Sequence, residues 1–291
     1  MVCKSKRQLS HSQNFLKNSV FVKRLLDKTD IKSRDLIIEI GPGKGIITKQ
    51  LSKKVKKVIA IEKDFKLVKN LREMFTGQNN IKIVNTDFLK WELPSKPYKV
   101  FSNIPFNMTA DIICKLLEAK YPPKRAYLIL QDKAAERFIG QPMGKDTQTS
   151  ILLKPYFEMK SIFSINRKQF TPEPKVNAVL VEFKKRQKSL VKKEQKQLFR
   201  DFVIYGYNQW KLTIMKNFEK IFSSKQQAIL SKRFDIREAK PRDLDINKWL
   251  KLFESFLEYV PAKKQAIVRS AELRLKNQQK KLQKQHRTRK Q

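Results

Sequence analysis

Five short apolar runs rich in β-branched residues, each followed by a helix-like pattern, constrain this chain more than any other feature. Residues 35–40, 57–62, 81–85, 99–102 and 126–130 read as strands. Between them, Asp64 is placed to cap a helix carrying Leu67, Val68, Leu71 and Phe75. Thr109 is placed to cap another carrying Ile112, Ile113, Leu116 and Leu117. Strands that alternate with helices bury both partners as a parallel sheet covered on its two faces. Residues 157–165 and 176–183 add two strands, joined through a loop with Pro172 and Pro174. The expected fold is α/β and Rossmann-like, with a seven-stranded, mostly parallel sheet.

The pattern changes after residue 184. Lys184-Lys185-Arg186-Gln187-Lys188 reads as a basic linker, and beyond it strand signals stop. Residues 197–222 and 246–259 carry apolar side chains at helical spacing, among them Leu198, Phe202, Trp249, Leu252, Phe253 and Phe256. Three parts are therefore expected: an α/β domain over 1–184, a small helical domain over 185–261 for RNA binding and target recognition, and a basic tail over 262–291. The tail, rich in Lys, Arg and Gln, reads as a solvated helix or a disordered extension. It serves either solubility or contact with phosphates.

Charge supplies the first functional clue. Lys and Arg number 65 against 27 Asp and Glu, a formal net charge of +38. A field of that sign and size attracts polyanions, nucleic acid foremost, with an anionic membrane surface or plain solubility as the other readings. Two cysteines, Cys3 and Cys114, and two histidines, His11 and His286, have no metal-ligand spacing, so no metal is expected. Residues 1–9 are basic and polar, with no apolar signal region, and no apolar stretch is long enough to span a bilayer. The chain reads as soluble and cytoplasmic, with no membrane partner.

Four elements converge at the carboxyl edge of the expected sheet. Gly41-Pro42-Gly43-Lys44-Gly45 follows the first strand and lets backbone pass close to a ligand. Glu62 ends the second strand, where a carboxylate can accept both hydroxyls of a ribose; without a ligand it would complement a helix dipole. Asp87-Phe88 follows the third strand, where the acid can accept an adenine amine while the ring packs on the base. A turn residue beside a core Phe is the plainer reading. Asn103-Ile104-Pro105-Phe106 follows the fourth strand. This order resembles the layout of S-adenosylmethionine-dependent methyltransferases. NAD is the competing ligand, but it leaves the fourth element unexplained.

The residue types of that fourth element suit one chemistry. An adenine N6 amine is a poor nucleophile because its lone pair is conjugated into the ring. The side-chain oxygen of Asn103 and the backbone carbonyl of Ile104 can accept its two hydrogens and free the lone pair for in-line attack on a methyl group. Pro105 fixes the backbone that aims these acceptors. Phe106 can stack on a base taken out of its helix or loop. Positioning and acceptors carry the catalysis, with no strong base required. The tetrapeptide alone also reads as a Pro-containing turn with a core Phe.

Taken together the sequence resembles the Erm/KsgA/Dim family of rRNA adenine N6-methyltransferases, from about Ser10 to Lys184. The resemblance rests on Ser12-Gln13-Asn14-Phe15-Leu16, Glu39-Ile40-Gly41-Pro42-Gly43-Lys44-Gly45, Asn103-Ile104-Pro105-Phe106, and Phe170-Thr171-Pro172-Glu173-Pro174-Lys175-Val176. It implies S-adenosylmethionine as cofactor. Asn14 and Leu16 would sit at the lip of its pocket, Gly41 at its methionine part, Glu62 at the ribose and Asp87 at the adenine amine, with Gly43, Lys63 and Phe88 also at the cofactor. Asn103 would touch both cofactor and target. Phe106 and Phe170 would sandwich the target adenine, although Phe170 also reads as loop packing. Ser-Gln-Asn-Phe and Asn-Ile-Pro-Phe look more like the Erm branch, which methylates 23S rRNA and blocks macrolide, lincosamide and streptogramin B binding. The housekeeping branch, acting on small-subunit rRNA, usually carries Asn-Leu-Pro-Tyr. The expectation is a monomeric 23S rRNA methyltransferase acting before ribosome assembly is complete. The alternatives are a small-subunit rRNA dimethyltransferase and a catalytically silent RNA-binding protein on the same fold.

Overall fold

The computed structural model describes residues 14–288, so Ser12 and Gln13 of the first motif, His11, Cys3 and the basic residues 1–9 lie outside the described residues. Along the chain the elements run β1 (Phe15–Leu16), α1 (Ser19–Asp27), β2 (Leu36–Ile40), α2 (Ile46–Ser52), β3 (Lys57–Glu62), α3 (Phe65–Met74), β4 (Ile81–Asn85), β5 (Lys99–Asn103) and α4 (Thr109–Leu117). There follow β6 (Arg125–Gln131), α5 (Asp132–Ile139), α6 (Gln148–Leu153), β7 (Phe157–Ile165), β8 (Phe170–Thr171) and β9 (Ala178–Lys185). The last stretch holds α7 (Lys196–Tyr207), α8 (Ile214–Asn217), α9 (Ser224–Arg233), α10 (Ile246–Tyr259), α11 (Ala262–Val268) and α12 (Ala271–Thr288).

Seven strands form one sheet in the order β4-β3-β2-β5-β6-β9-β7. The first five are mutually parallel, and β9 runs antiparallel to both of its neighbours. The strand sequences match these places. Central β2 and β6 are buried along almost their whole length, as a strand covered on both faces must be, whereas edge strand β4 is only partly buried. Alternation sends Ile37, Val58, Phe101, Tyr127 and Ile129 to one face. There they form a core with Val22, Leu25 and Leu26 of α1 and Ile47 and Leu51 of α2.

The chain winds from β2 through β3 to β4, then returns to lay β5 against the other side of β2. Strand order reverses between β2 and β5. The helices that follow these two strands leave in opposite directions and open a crevice above their carboxyl ends. Asp64 caps α3 by accepting from the N–H groups of Lys66 and Leu67. Thr109 does not cap α4 as the sequence suggested. It is the first helical residue, and its hydroxyl donates to the Phe106 carbonyl at 3.0 Å, closing the turn that follows β5.

The described residues divide into two compact units, 14–139 with 157–186, and a helical unit of 187–288 with 140–156. Residues 140–156, which precede the last strands in sequence, fold with the helices. Ile151 and Leu152 of α6 belong to the core built from Phe199, Phe202, Phe218 and Trp249. Within it the Phe202 and Phe218 rings stack at 4.5 Å. Gly206 lets Phe218 and Trp249 pack against α7, because a Cβ there would lie 2.7 Å from Phe218 and 2.8 Å from Trp249. The helical spacing over 197–222 is interrupted at Asn208, where α7 ends.

The tail is not all solvated extension. Val268 and Ala271 are buried in the helical core. The Asp201 carboxylate accepts from the N–H groups of Ser270 and Glu272, and Arg200 holds Glu272 by two hydrogen bonds of 2.9 and 2.8 Å. That pairing keeps the Glu272 carboxyl well below its usual range. The anchor is largely polar, which is why apolar spacing did not reveal it. No helix among the described residues is long and apolar enough to cross a membrane.

Candidate active site

The loop after β2 opens the crevice. Gly41, Gly43 and Gly45 all have positive φ, and a Cβ on Gly43 would lie 2.3 Å from the Phe15 ring. Phe15 therefore rests directly on the glycine loop, and Lys44 Nζ stands 5.6 Å from the centre of the same ring. Strand β1 places it there by pairing with β8, Phe15 opposite Thr171 and Leu16 opposite Phe170. This short ribbon brings the first and last motifs of the sequence together.

Glu62, buried at the end of β3, already holds three backbone donors. Its Oε1 accepts from Lys63 and Asp64 at 2.8 and 3.0 Å, and its Oε2 accepts from Gly43 at 3.2 Å. A carboxylate has about four acceptor positions, so one position remains on Oε2 for a sugar hydroxyl. The same bonds tie the glycine loop to β3. Asp87 is likewise engaged: Oδ2 pairs with Lys63 Nζ at 2.9 Å and Oδ1 accepts from Leu89 N–H at 2.9 Å. Partial burial works against ionisation of Asp87, but Lys63 and the Leu89 N–H outweigh it and hold the carboxyl below its usual range. Phe88 is buried beside it, with Lys115 Nζ 5.3 Å from its ring centre.

After β5 the chain turns at Pro105. The Pro105 carbonyl accepts from Met108 and the Phe106 carbonyl from Thr109. Asn103 Nδ2 donates to the Asn14 carbonyl at 2.7 Å. That bond sets the amide orientation, because the flipped amide would oppose two oxygens. Asn103 Oδ1 is then shielded from solvent with no hydrogen-bond partner. Leaving an acceptor buried and unpaired costs about 1–3 kcal/mol, and an incoming amine would recover it.

Two adjoining spaces share Gly41 and Pro105. One, of about 320 Å³, is lined by Asn14, Phe15, Asn103, Ile104 and Phe106. The other, of about 430 Å³, is lined by Glu62, Lys63, Asp87, Phe88 and Met108. The structure thus brings the residues expected at a cofactor and those expected at a methyl acceptor to two halves of one crevice. Leu16 lies just behind, buried under β8. Phe106 and Phe170 do not form a ready slot. Their centroids are 6.5 Å apart with planes at 70°, edge to face, and Phe170 is 0% exposed. A base between them requires the two rings to turn parallel.

Sequence reasoning assigned no role to Phe15 or Glu39. Glu39 is 1% exposed in the middle of β2, accepts from the Thr48 hydroxyl at 2.6 Å, and leaves Oε1 unpaired. Burial, helped by nearby Glu62, pushes its carboxyl up to about 8. A lone acid inside the apolar run Ile37-Ile38-Glu39-Ile40 was the available signal. Among the described residues no cluster of His, Cys, Asp and Glu is arranged to hold a metal ion.

Comparison with known proteins gives the family and the fold. The family described as "Ribosomal RNA adenine dimethylase" matches residues 4–258. The ribosomal RNA small subunit methyltransferase A of Latilactobacillus sakei is 32% identical over 228 residues, 75% of this chain and 77% of that protein. The protein of the same name from Bacillus mycoides is 32% identical over 218 residues, 72% of this chain and 75% of its own. Among solved structures, the 23S rRNA methyltransferase ErmE superposes with a TM-score of 0.77 at 25% identity, over 84% of this chain and 99% of that one. A dimethyladenosine transferase from Plasmodium falciparum shares the fold, with a TM-score of 0.69 at 23% identity over 84% and 98% of the two chains.

Proposed function

The chain belongs to the ribosomal RNA adenine dimethylase family, and on that premise we propose that it places two methyl groups on the N6 amine of an adenine in small-subunit rRNA. The broader statement follows from the family and fold: this is an S-adenosylmethionine-dependent rRNA adenine methyltransferase. The choice of RNA moves away from the 23S target favoured by the short motifs. It is supported by the two relatives at 32% identity, both named for the small subunit.

The single observation that carries the chemistry is the Asn103 amide, whose nitrogen is committed to Asn14 and whose oxygen is unpaired. In this reading Oδ1 accepts one hydrogen of the target amine and the Ile104 carbonyl the other. The lone pair is thereby localised on nitrogen, and Phe106 holds the base plane. The residues present fit the cofactor. Gly41 offers an open approach, the nearest atom to an added Cβ being Pro105 Cδ at 3.9 Å. Glu62 keeps one acceptor position for a ribose hydroxyl, and Asp87 and Phe88 flank the space for a base. S-adenosylmethionine supplies the electrophilic methyl group when bound. Asn14, Leu16, Gly43 and Lys63 shape or brace the same walls, and Phe170 backs Phe106.

A second reading, methylation of 23S rRNA with macrolide resistance as its consequence, is favoured by the ErmE superposition and by the Asn-Ile-Pro-Phe form of the motif. Incubating the enzyme with labelled cofactor and protein-free 16S or 23S rRNA, then mapping the modified base, separates the two. Label in 16S rRNA as dimethyladenine supports the proposal; label confined to 23S rRNA transfers the protein to the second reading.

A further inference from the structure

The helical unit carries a feature that neither the fold nor the catalytic crevice uses. Between α7 and the α11–α12 segment lies a groove of about 880 Å³, lined by Tyr205, Asn208, Gln209, Lys220, Arg274 and Gln278 among others, with no carboxylate in its walls. The Arg274 guanidinium donates to the backbone carbonyls of Ile267 and Arg269, each at 2.7 Å. Those bonds fix its plane; Glu219, which acts on Tyr205 of the groove, is paired with Lys211 at 3.8 Å. Lys220 forms no ion pair among the described residues.

The loop that borders this groove presents a tryptophan. Trp210 is 89% exposed and sits at φ 58°, a conformation unfavourable for any residue with a Cβ. Its two neighbours are pinned. Gln209 Nε2 donates to the Tyr205 carbonyl at 3.2 Å, and the Lys211 N–H donates to Asn217 Oδ1 at 3.0 Å. Asn217 is itself locked by donating to the Gly206 carbonyl. The indole is therefore held out into solvent by a braced backbone.

An exposed aromatic on a braced backbone, next to a groove lined by two cations and no carboxylate, fits one partner chemistry. We propose that Trp210 is a stacking platform for an unpaired base of the substrate RNA, with the adjoining sugar-phosphate backbone lying along Lys220 and Arg274. Bases of any identity can stack on an indole, and phosphates meet the two cations. The amides of Asn208, Gln209 and Gln278 leave the groove free of anionic charge. An acidic protein would satisfy the cations but has no need of a rigid indole, and a second copy of this basic chain would be repelled by the groove. The proposal rests on the RNA-methylating reading and locates a contact outside the catalytic crevice.

The test uses the full chain, wild type and W210A, W210F and K220A. Titration with a single-stranded oligoribonucleotide should quench tryptophan fluorescence in wild type, and W210F should lose most of that quench, because Trp249 is fully buried and the half-buried Trp91 is common to both proteins. In methylation of rRNA, W210A should raise KM roughly ten-fold with kcat held, and W210F should recover part of the loss. K220A should lower the slope of log affinity against log salt by about 0.7, the value for one single-strand phosphate contact. Normal turnover with unchanged KM in W210A, and no quench in wild type, overturns the platform while leaving the methylation reading intact. Quenching that depends on Trp210 in a protein that methylates no rRNA would instead retain the platform and remove the methylation reading. If W210A changes only self-association in sedimentation, the exposed indole is a protein contact and the proposal fails.

Discussion

At residue scale the site turns on two groups with an unpaired oxygen. Asn103 Oδ1 is the acceptor on which the proposed chemistry depends. Asn103→Ala should reduce kcat by about 10²–10³-fold, the range for loss of one preorganised polar contact at a reacting centre, while RNA affinity stays close to wild type. Near-normal turnover in that variant would exclude the assigned role. Glu39 makes a separate prediction about stability. Its carboxyl titrates near 4.5 when unfolded and is raised to about 8 in the fold. Between those values the unfolded chain has released the proton and the native protein still holds it. Native stability therefore falls as pH rises through this window, by up to about 1.4 kcal/mol per pH unit, and levels off above pH 8. Glu39→Gln should remove that slope and unfold at higher urea than wild type at pH 8. Parallel urea-midpoint curves for the two proteins across pH 5–9 would mean that the buried carboxyl is ionised.

At the scale of elements, the crevice depends on three short connections rather than on the sheet. The glycine loop is bound to β3 through Glu62, the β1–β8 ribbon lays Phe15 over that loop, and the Pro105 turn is closed by Thr109. Gly43→Ala tests the first two together. The added methyl meets Phe15 at 2.3 Å, at a φ of 58° where an L-residue is disfavoured by about 1–2 kcal/mol. The variant should lose cofactor affinity and several degrees of melting temperature. Adding Phe15→Ala should recover part of the melting temperature, because it removes the collision but not the backbone strain. If the double variant melts no higher than the single, the ring is not what the glycine accommodates. The ribbon also explains why Phe170 is buried: it lies opposite Leu16 in the pairing, so admitting a base requires Phe106 to move more than Phe170.

At the scale of the whole molecule, charge and the helical unit govern how RNA is held. A chain with +38 net charge should bind rRNA with a steep loss of affinity between low and physiological salt. A flat salt dependence in filter binding would separate the charge from docking. Removing everything after Pro261 is not the deletion of a passive tail. It strips Val268 and Ala271 from the core and leaves Asp201 and Arg200 without the groups they hold. The truncated protein should show a lower thermal midpoint as well as weaker RNA binding. The sequence by itself determined the seven strands of the main sheet, their order of appearance and the four elements, the glycine loop among them, that meet at the crevice. Each of those is written as local hydrophobic period or as backbone permission, and both are properties of neighbouring residues. Only the tertiary structure decided that 140–156 folds with the helices and that the tail is docked through Asp201. It likewise decided that the Glu62 and Asp87 carboxylates are already engaged, that Phe106 and Phe170 meet edge to face, and that Trp210 stands in solvent. Those outcomes depend on which side chains compete for one hydrogen-bond partner or one volume across long stretches of chain. Such competition leaves no periodic trace in the order of residues.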